Sequence, residues 1–412
     1  MSIFKLAWRN IMSNPLNLAL NLILFSLGIA LISFLFQMNG QIKEKFDNNL
    51  AGIDMVVGAK GSPLQMILCN MYHIDNPTGN ISIGEAKAFL NPKHPLIKRA
   101  VPLSLGDSHQ GFRIVGTNDS MFELYNAEIA EGRNIEETLE VVIGKSVADK
   151  TGMKIGDGFY SSHGFIQDED MTHDNAELKV VGIIKRSGTV MDNLIICNPQ
   201  TVWAVHEHEE SHETPQDTIQ KAFSLLDYPE KEITSILIQF KNRTNFQALN
   251  MPRNINENTD MQAASPAIEI NRLYDMVGVG SRALQMLAIL ITIVSAISIF
   301  ISLFSSLKSR KYELALMRVM GAGPGKLFIL IILEGLILAI ISFILGILVS
   351  HLAMFFMSEQ LSEAYKYEFS AWRMTGKEGP LFLMSLILGF VASVIPAYRA
   401  YRTDIHQTLS KI

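Results

Sequence analysis

The chain has 412 residues, 48% of them apolar, with 35 Lys and Arg against 40 Asp and Glu for a formal net charge of −5. That length allows more than one folding unit, and the apolar residues gather into four blocks, which points to a membrane protein rather than a soluble globular one. An acidic balance of this kind is poorly suited to nucleic acid.

At the start, Phe4, Leu6, Ala7, Trp8, Ile11 and Met12 alternate with Lys5 and Arg9. The pattern predicts a short helix lying in the membrane interface, with Pro15 marking the turn into the bilayer. The four apolar blocks are residues 16–38, 283–307, 327–351 and 381–396, and the first three exceed the ~20 residues that cross a hydrocarbon core. The first is too long for the apolar region of a secretory signal, and no small-residue cleavage site follows it, so an uncleaved helix is expected.

After the first block, Ile42, Phe46 and Leu50 recur at helical spacing, and Leu273, Met276, Val277 and Gly280 do so before the second. A pair of helical stalks bracketing a large domain is the economical reading. Between them lie β-branched runs at 53–57, 112–115, 140–143, 178–184, 194–196 and 236–240, separated by Gly, Pro and Asn turns, which predict a mixed α/β domain. The expected organisation is therefore an interfacial helix and first span (1–38), an extracytoplasmic domain with stalks (39–281), and a region of three further spans (282–412).

Residues 39–281 carry 21 Lys and Arg against 33 Asp and Glu, a difference of −12, so the acidity belongs to this domain. Its two cysteines, Cys69 and Cys197, are each flanked by apolar residues, which favours buried free thiols over a bridge. Residues 206–232 read as a loop or insertion. Within it His206, His208 and His212 alternate with glutamates and offer ligands to zinc or copper; plain solvation of a polar loop is the competing reading.

Basic residues resist translocation. Lys5 and Arg9, then Lys308, Arg310, Lys311, Arg318 and Lys326, then Arg399, Arg402 and Lys411 flank the spans on one side, which predicts both termini in the cytoplasm. Three Gly-Lys pairs, at 144–145, 325–326 and 376–377, lack the first glycine of a phosphate-binding loop, having Leu139, Met320 and Ala371 there. The chain therefore has no nucleotide cradle of its own, and no nucleophile, base and orienting acid are recognisable together.

The segment 308–326, between the second and third spans, is the most informative. Tyr312, Ala315, Leu316 and Val319 share one helical face, and Gly321 can take the left-handed conformation that ends a helix. Here the sequence resembles the FtsX/MacB-type permeases of ABC transporters, with a LolC/LolE-like architecture: Glu313, Arg318, Gly321 and Ala322 stand where that family's loop places them. Glu334-Gly335 resembles the acidic position early in the family's third span, and 396–400 resembles its Pro-Ala-Arg-x-Ala ending, with Tyr398 replacing one basic residue.

The resemblance implies that Glu313, Leu316, Arg318, Gly321 and Ala322 form a coupling helix that docks onto a cytoplasmic ABC ATPase dimer, which would bind ATP and Mg. It implies a bacterial inner-membrane permease with no catalytic chemistry of its own, a second permease copy or paralogue, and an extracytoplasmic cargo or an outer-membrane partner. Glu334, within a span, is costly there and needs a partner or water. The alternatives left open are a non-transporting regulator of a cell-envelope enzyme and a membrane-anchored metal sensor.

Overall fold

A computed structural model describes residues 3–163, 176–207, 224–365, 369–374 and 376–402. The chain divides into two compact units, one of residues 1–42, 277–364 and 368–412, the other of residues 43–276 with 365–367. It opens with helix α1 (Ile3–Met12), which ends ahead of Pro15; α2 then runs from Pro15 to Asn49. In α1, Ala7 is buried while Phe4, Trp8 and Met12 are exposed, the division expected of an interfacial helix with one packed side.

The α/β unit continues with β1 (Met55–Ala59), α3 (Pro63–Tyr72), β2 (Ile81–Ser82), α4 (Ile83–Leu90), β3 (Ile97–His109), β4 (Phe112–Gly116) and α5 (Ser120–Leu124). Next come β5 (Ile129–Gly132), β6 (Glu140–Ile143), α6 (Lys145–Thr151), β7 (Gly158–Phe159), β8 (Ser162–His163), β9 (Leu178–Ile184), β10 (Leu194–Cys197) and α7 (Pro199–Glu207). It closes with β11 (Glu232–Ile233), β12 (Ser235–Phe240), α8 (Phe246–Asn258) and β13 (Met261–Ala264).

The main sheet has the order β13-β1-β12-β3-β4-β10-β6-β9-β5. The pairs β4/β10 and β6/β9 are parallel and the others antiparallel. Two aliphatic cores lie along it: Val57, Ile83, Ile236 and Ile238 belong to one, and Val141, Ile143, Val180 and Ile195 to the other. Strand β3 serves both halves, because residues 97–103 pair with β12 and residues 104–109 with β4.

Pro102 lies inside β3, where a missing N–H would ordinarily cost a ladder bond. Its carbonyl accepts from the Thr117 hydroxyl at 2.8 Å, so its polar groups face the side where β4 has already ended and no bond to β12 is lost. Strand β1 starts at Met55, later than the apolar run suggests, because Ala51 and Gly52 take positive φ (45° and 76°) and turn the chain after α2. Cys69 and Cys197 are free and buried; burial pushes both thiols up, and Arg113, donating to Cys69 Sγ at 3.2 Å, opposes the shift there.

The remaining helices are α9 (Pro266–Ser309), α10 (Lys311–Val319), α11 (Pro324–Tyr365) and α12 (Glu378–Tyr401). Four helices, α2, α9, α11 and α12, are long and apolar enough to cross a membrane, and they contain the four apolar blocks. At 1.5 Å per residue, α2 and α9 extend roughly 52 and 66 Å, well beyond the ~30 Å hydrocarbon thickness, so each has a surplus turned over to stalk.

The stalks pair, although not through the whole expected face. In the α/β unit Tyr274 meets Phe46 edge-on at 6.2 Å between ring centroids and donates to the Lys43 carbonyl at 3.3 Å, while Met276 is exposed. In the membrane unit Asn39 donates to the Ser281 hydroxyl at 2.6 Å. The tyrosine takes the facing position because its ring fills the space beside Phe46 and its hydroxyl satisfies a carbonyl.

Within the membrane unit Phe25, Ile29, Ile299 and Leu338 form the apolar centre. Helices α11 and α12 approach closely through small residues: a Cβ on Gly335 would stand 2.7 Å from Ser393 Cβ, and one on Gly389 2.6 Å from Ala339 Cβ. Small residues at a crossing let backbones touch where lipid gives helices no hydrophobic reason to associate.

Candidate functional site

Helix α10 forms from an amphipathic nine-residue segment with Glu313 in its first turn and Arg318 in its last, charges that complement the helix dipole at either end. Its end is a Schellman motif: Gly321 at φ 94° donates to the Arg318 carbonyl, and Ala322 donates to the Met317 carbonyl, both at 3.0 Å. Glycine is required there because the left-handed conformation is strained for residues with a Cβ.

The structure divides the apolar residues of α10 into two faces. Ala315 and Leu314 are buried against Ala7, Leu327 and Leu330, so Ala315 does not share the outward face expected for it. Tyr312, Leu316 and Val319 stay exposed, the last two at 44% and 58%, and Met320 beyond the helix is 72% exposed. The inward positions 314 and 315 anchor the helix, and the i, i+4, i+7 positions 312, 316 and 319 form an unpartnered stripe in this chain. Glu313 is exposed and Arg318 half-buried.

Glu334 sits one helix away in α11, 2% exposed. Its Oε1 accepts from the Asn10 side-chain amide at 2.6 Å. Arg310, the residue before α10, donates to the Asn10 carbonyl at 2.9 Å and to the Ser13 hydroxyl. A guanidinium thus caps the C-terminal carbonyls of α1, where positive charge is favoured, and the same Asn10 reaches the buried carboxylate. This joins α1, the base of α10 and α11 by hydrogen bonds.

Beside Glu334 lies a cavity of about 30 Å³ lined by Asn10, Asn17, Asn21, Ser302 and Ser306 among others, polar enough and large enough for water. Asn21 accepts from Ser298 at 2.8 Å. Sequence reading picked out Glu334 but missed its asparagine partners. The signal was present: asparagines at 10, 14, 17 and 21 fall on one helical face leading into an apolar block. A second polar knot in the bundle, also missed, joins the Gln37 amide to Ser350 at 3.4 Å and His351 at 3.3 Å.

In the α/β unit, His206 lies at the end of α7 with its Nε2 3.5 Å from Oδ1 of the buried Asp107. His208 and His212 lie outside the described residues. Among the described residues no group of three His, Cys, Asp or Glu side chains is placed to hold a metal ion.

Two family models match the chain: the MacB-like periplasmic core domain over residues 18–251, more than half of its length, and the FtsX-like permease C-terminal over residues 286–405. The crystal structure of the periplasmic region of MacB from Actinobacillus actinomycetemcomitans is similar at 13% identity with a TM-score of 0.34, covering 56% of this chain and 97% of that one. No curated protein matches the sequence. With both its α/β unit and its apolar helices accounted for by matching models, the chain belongs to the FtsX/MacB-type permease family of membrane proteins.

Proposed function

We propose that this chain is the membrane subunit of an ABC transporter whose ATPase is a separate cytoplasmic polypeptide binding ATP and Mg, with α10 as the docking element. The observation that carries this reading is the exposed stripe Tyr312, Leu316, Val319 and Met320 on a short helix anchored from behind by Leu314 and Ala315 between two membrane-crossing helices. A helix fixed on one face and apolar on the other suits insertion into a groove of a partner protein.

Glu313 and Arg318 flank the stripe and would set its orientation through charge, while Gly321 and Ala322 fix where the helix stops. The basic residues of 308–326 favour a cytoplasmic location, which puts both termini there and residues 39–281 outside a bacterial inner membrane. Nucleotide hydrolysis would move α10, and the stalk portions of α2 and α9 would pass that movement to the α/β unit as a rigid-body change. The chain supplies no bond-breaking chemistry in this scheme. It acts with a second copy or paralogue on a lipid-linked or periplasmic cargo.

The test has two parts. Lys311→Cys and Lys154→Cys, each labelled in intact cells with an impermeant maleimide, should react from opposite sides; labelling from the same side would sink the topology. Co-expression with candidate ABC ATPases should yield a complex that survives purification, and Leu316→Asp with Arg318→Glu should reduce its recovery at least tenfold with the permease still folded. Undiminished recovery would remove α10 as the dock.

A further inference from the structure

The first half of β3 is paired on one side only. Residues 97–103 lie against β12, and β4 pairs with β3 only from Ser104 onward. Polar backbone groups point to alternate sides along a strand. Because the Pro102 carbonyl faces the Thr117 side, the N–H and C=O groups of Ala100 and Lys98 face that side as well. An unpaired row of this kind is a template for another extended chain.

The space beyond that edge is a cleft of about 620 Å³ in the α/β unit, within the range that holds small ligands. One wall is the edge itself, Ile97 to Ala100. The opposite wall is built from the turns that follow the parallel strands β4 and β10, including Asn118, Ser120 and Gln200. In open α/β sheets the crevice beyond the carboxyl ends of parallel strands is the usual place for a ligand.

The lining defines the ligand's chemistry. Its ionic groups are balanced in sign: Arg99 bonds Glu123 at 2.7 Å, Asp119 accepts from Asn134 at 2.8 Å, and Lys98 is the remaining cation. A net charge on the ligand would gain little. Aliphatic side chains, Leu90, Ile196 and Leu225 among them, provide apolar surface, and Phe122 is the only ring lining the cleft. A sugar would call for aromatic stacking surface that the cleft does not offer. An extended peptide uses all of these features: its amides pair with the strand edge, its alternate side chains meet the aliphatic wall, and the amides and hydroxyl opposite satisfy its outer edge.

We propose that residues 98–100 of β3 form a recognition edge that takes a short, uncharged, extended peptide segment as an added strand. This binding does not depend on how ATP hydrolysis is coupled to the chain; only the naming of the peptide as cargo does.

The test uses the full chain in lipid nanodiscs with p-benzoylphenylalanine in place of Ser120, irradiated with a mixture of end-blocked Val- and Thr-rich hexapeptides and analysed by mass spectrometry. Peptide adducts are expected, and N-methylation of alternate residues should reduce them at least tenfold, because it removes donors without changing the side chains. Ala100→Pro should fold, since its N–H faces the open edge, yet lose adducts to the same extent. Absence of adducts, equal adducts with N-methylated peptides, or displacement by malto-oligosaccharides but not by unlabelled peptide would each overturn the proposal. Failure of Ala100→Pro to fold while Val101→Pro folds would overturn the edge geometry itself.

Discussion

The two units bury polar groups for different ends. In the α/β unit the cores are runs of Val and Ile, and buried polar side chains mainly serve backbone groups of turns: Asn49 accepts from Val190 N–H at 2.8 Å, and Asn198 from Thr201 N–H at 2.8 Å. In the membrane unit buried Ser, Asn, Gln and Glu tie helix to helix, and the closest crossing is made by glycines. Water drives aliphatic side chains together in the first. Lipid is as apolar as leucine, so the second must rely on close backbone approach and interhelical hydrogen bonds.

The largest expected effect lies in the aliphatic core. Ile143→Ala should cost about 2–5 kcal/mol, read as a lowered midpoint for the α/β unit in thermal unfolding of the nanodisc-held protein. A loss under 1 kcal/mol would mean that the sheet core is not what holds this unit. Gly335→Ala, which adds a single methyl, should cost about 1–3 kcal/mol in the membrane unit because that methyl meets Ser393 and the Gly389 carbonyl. If it proves neutral, close helix contact is not the basis of the bundle.

Protonation separates the units next. His73 is buried in the α/β unit at a left-handed C-cap (φ 55°), and burial first, then the nearby Arg113, lowers its pKa to about 3. Above the ordinary imidazole value of 6.5 it is neutral whether folded or unfolded. Below 6.5 the unfolded chain binds a proton that the folded one refuses, so stability falls as pH drops toward about 3, by up to ~1.4 kcal/mol per pH unit. His73→Asn keeps a residue tolerant of the left-handed conformation and should flatten this slope; a slope unchanged between pH 6.5 and 4.5 would assign it to other groups.

Asn10→Leu should have the smallest effect, about 1 kcal/mol on unfolding of the membrane unit, since interhelical hydrogen bonds in membranes average about 0.6 and reach about 1.7 kcal/mol. A loss as large as that of Ile143→Ala would erase the distinction between the units.

The same contrast governs what the sequence makes legible. Strands β6 and β9 have the bounds of their β-branched runs, because a doubly buried strand writes its whole length in apolar residues. Strand β3 escaped, since Lys98 and Arg99 interrupt its pattern and Pro102 argues against any central strand; only its place at a half-open edge accommodates them. The Schellman end of α10 was visible as a glycine after a helical period, whereas the inward turn of Ala315 was not, because alanine suits either face. Asn10 and Glu334 are 324 positions apart, and their meeting depends on which helices pack, which no local pattern records.

Strand β3 has one further consequence. Both aliphatic cores take their alignment from a single 13-residue strand, so adding or deleting one residue near its centre would turn half of its side chains inside out relative to the other half. The two lobes of the α/β unit are thus bound to one reading frame of in and out. Recombination between relatives can exchange their surface loops freely, but a crossover inside this strand survives only when both parents keep the same count.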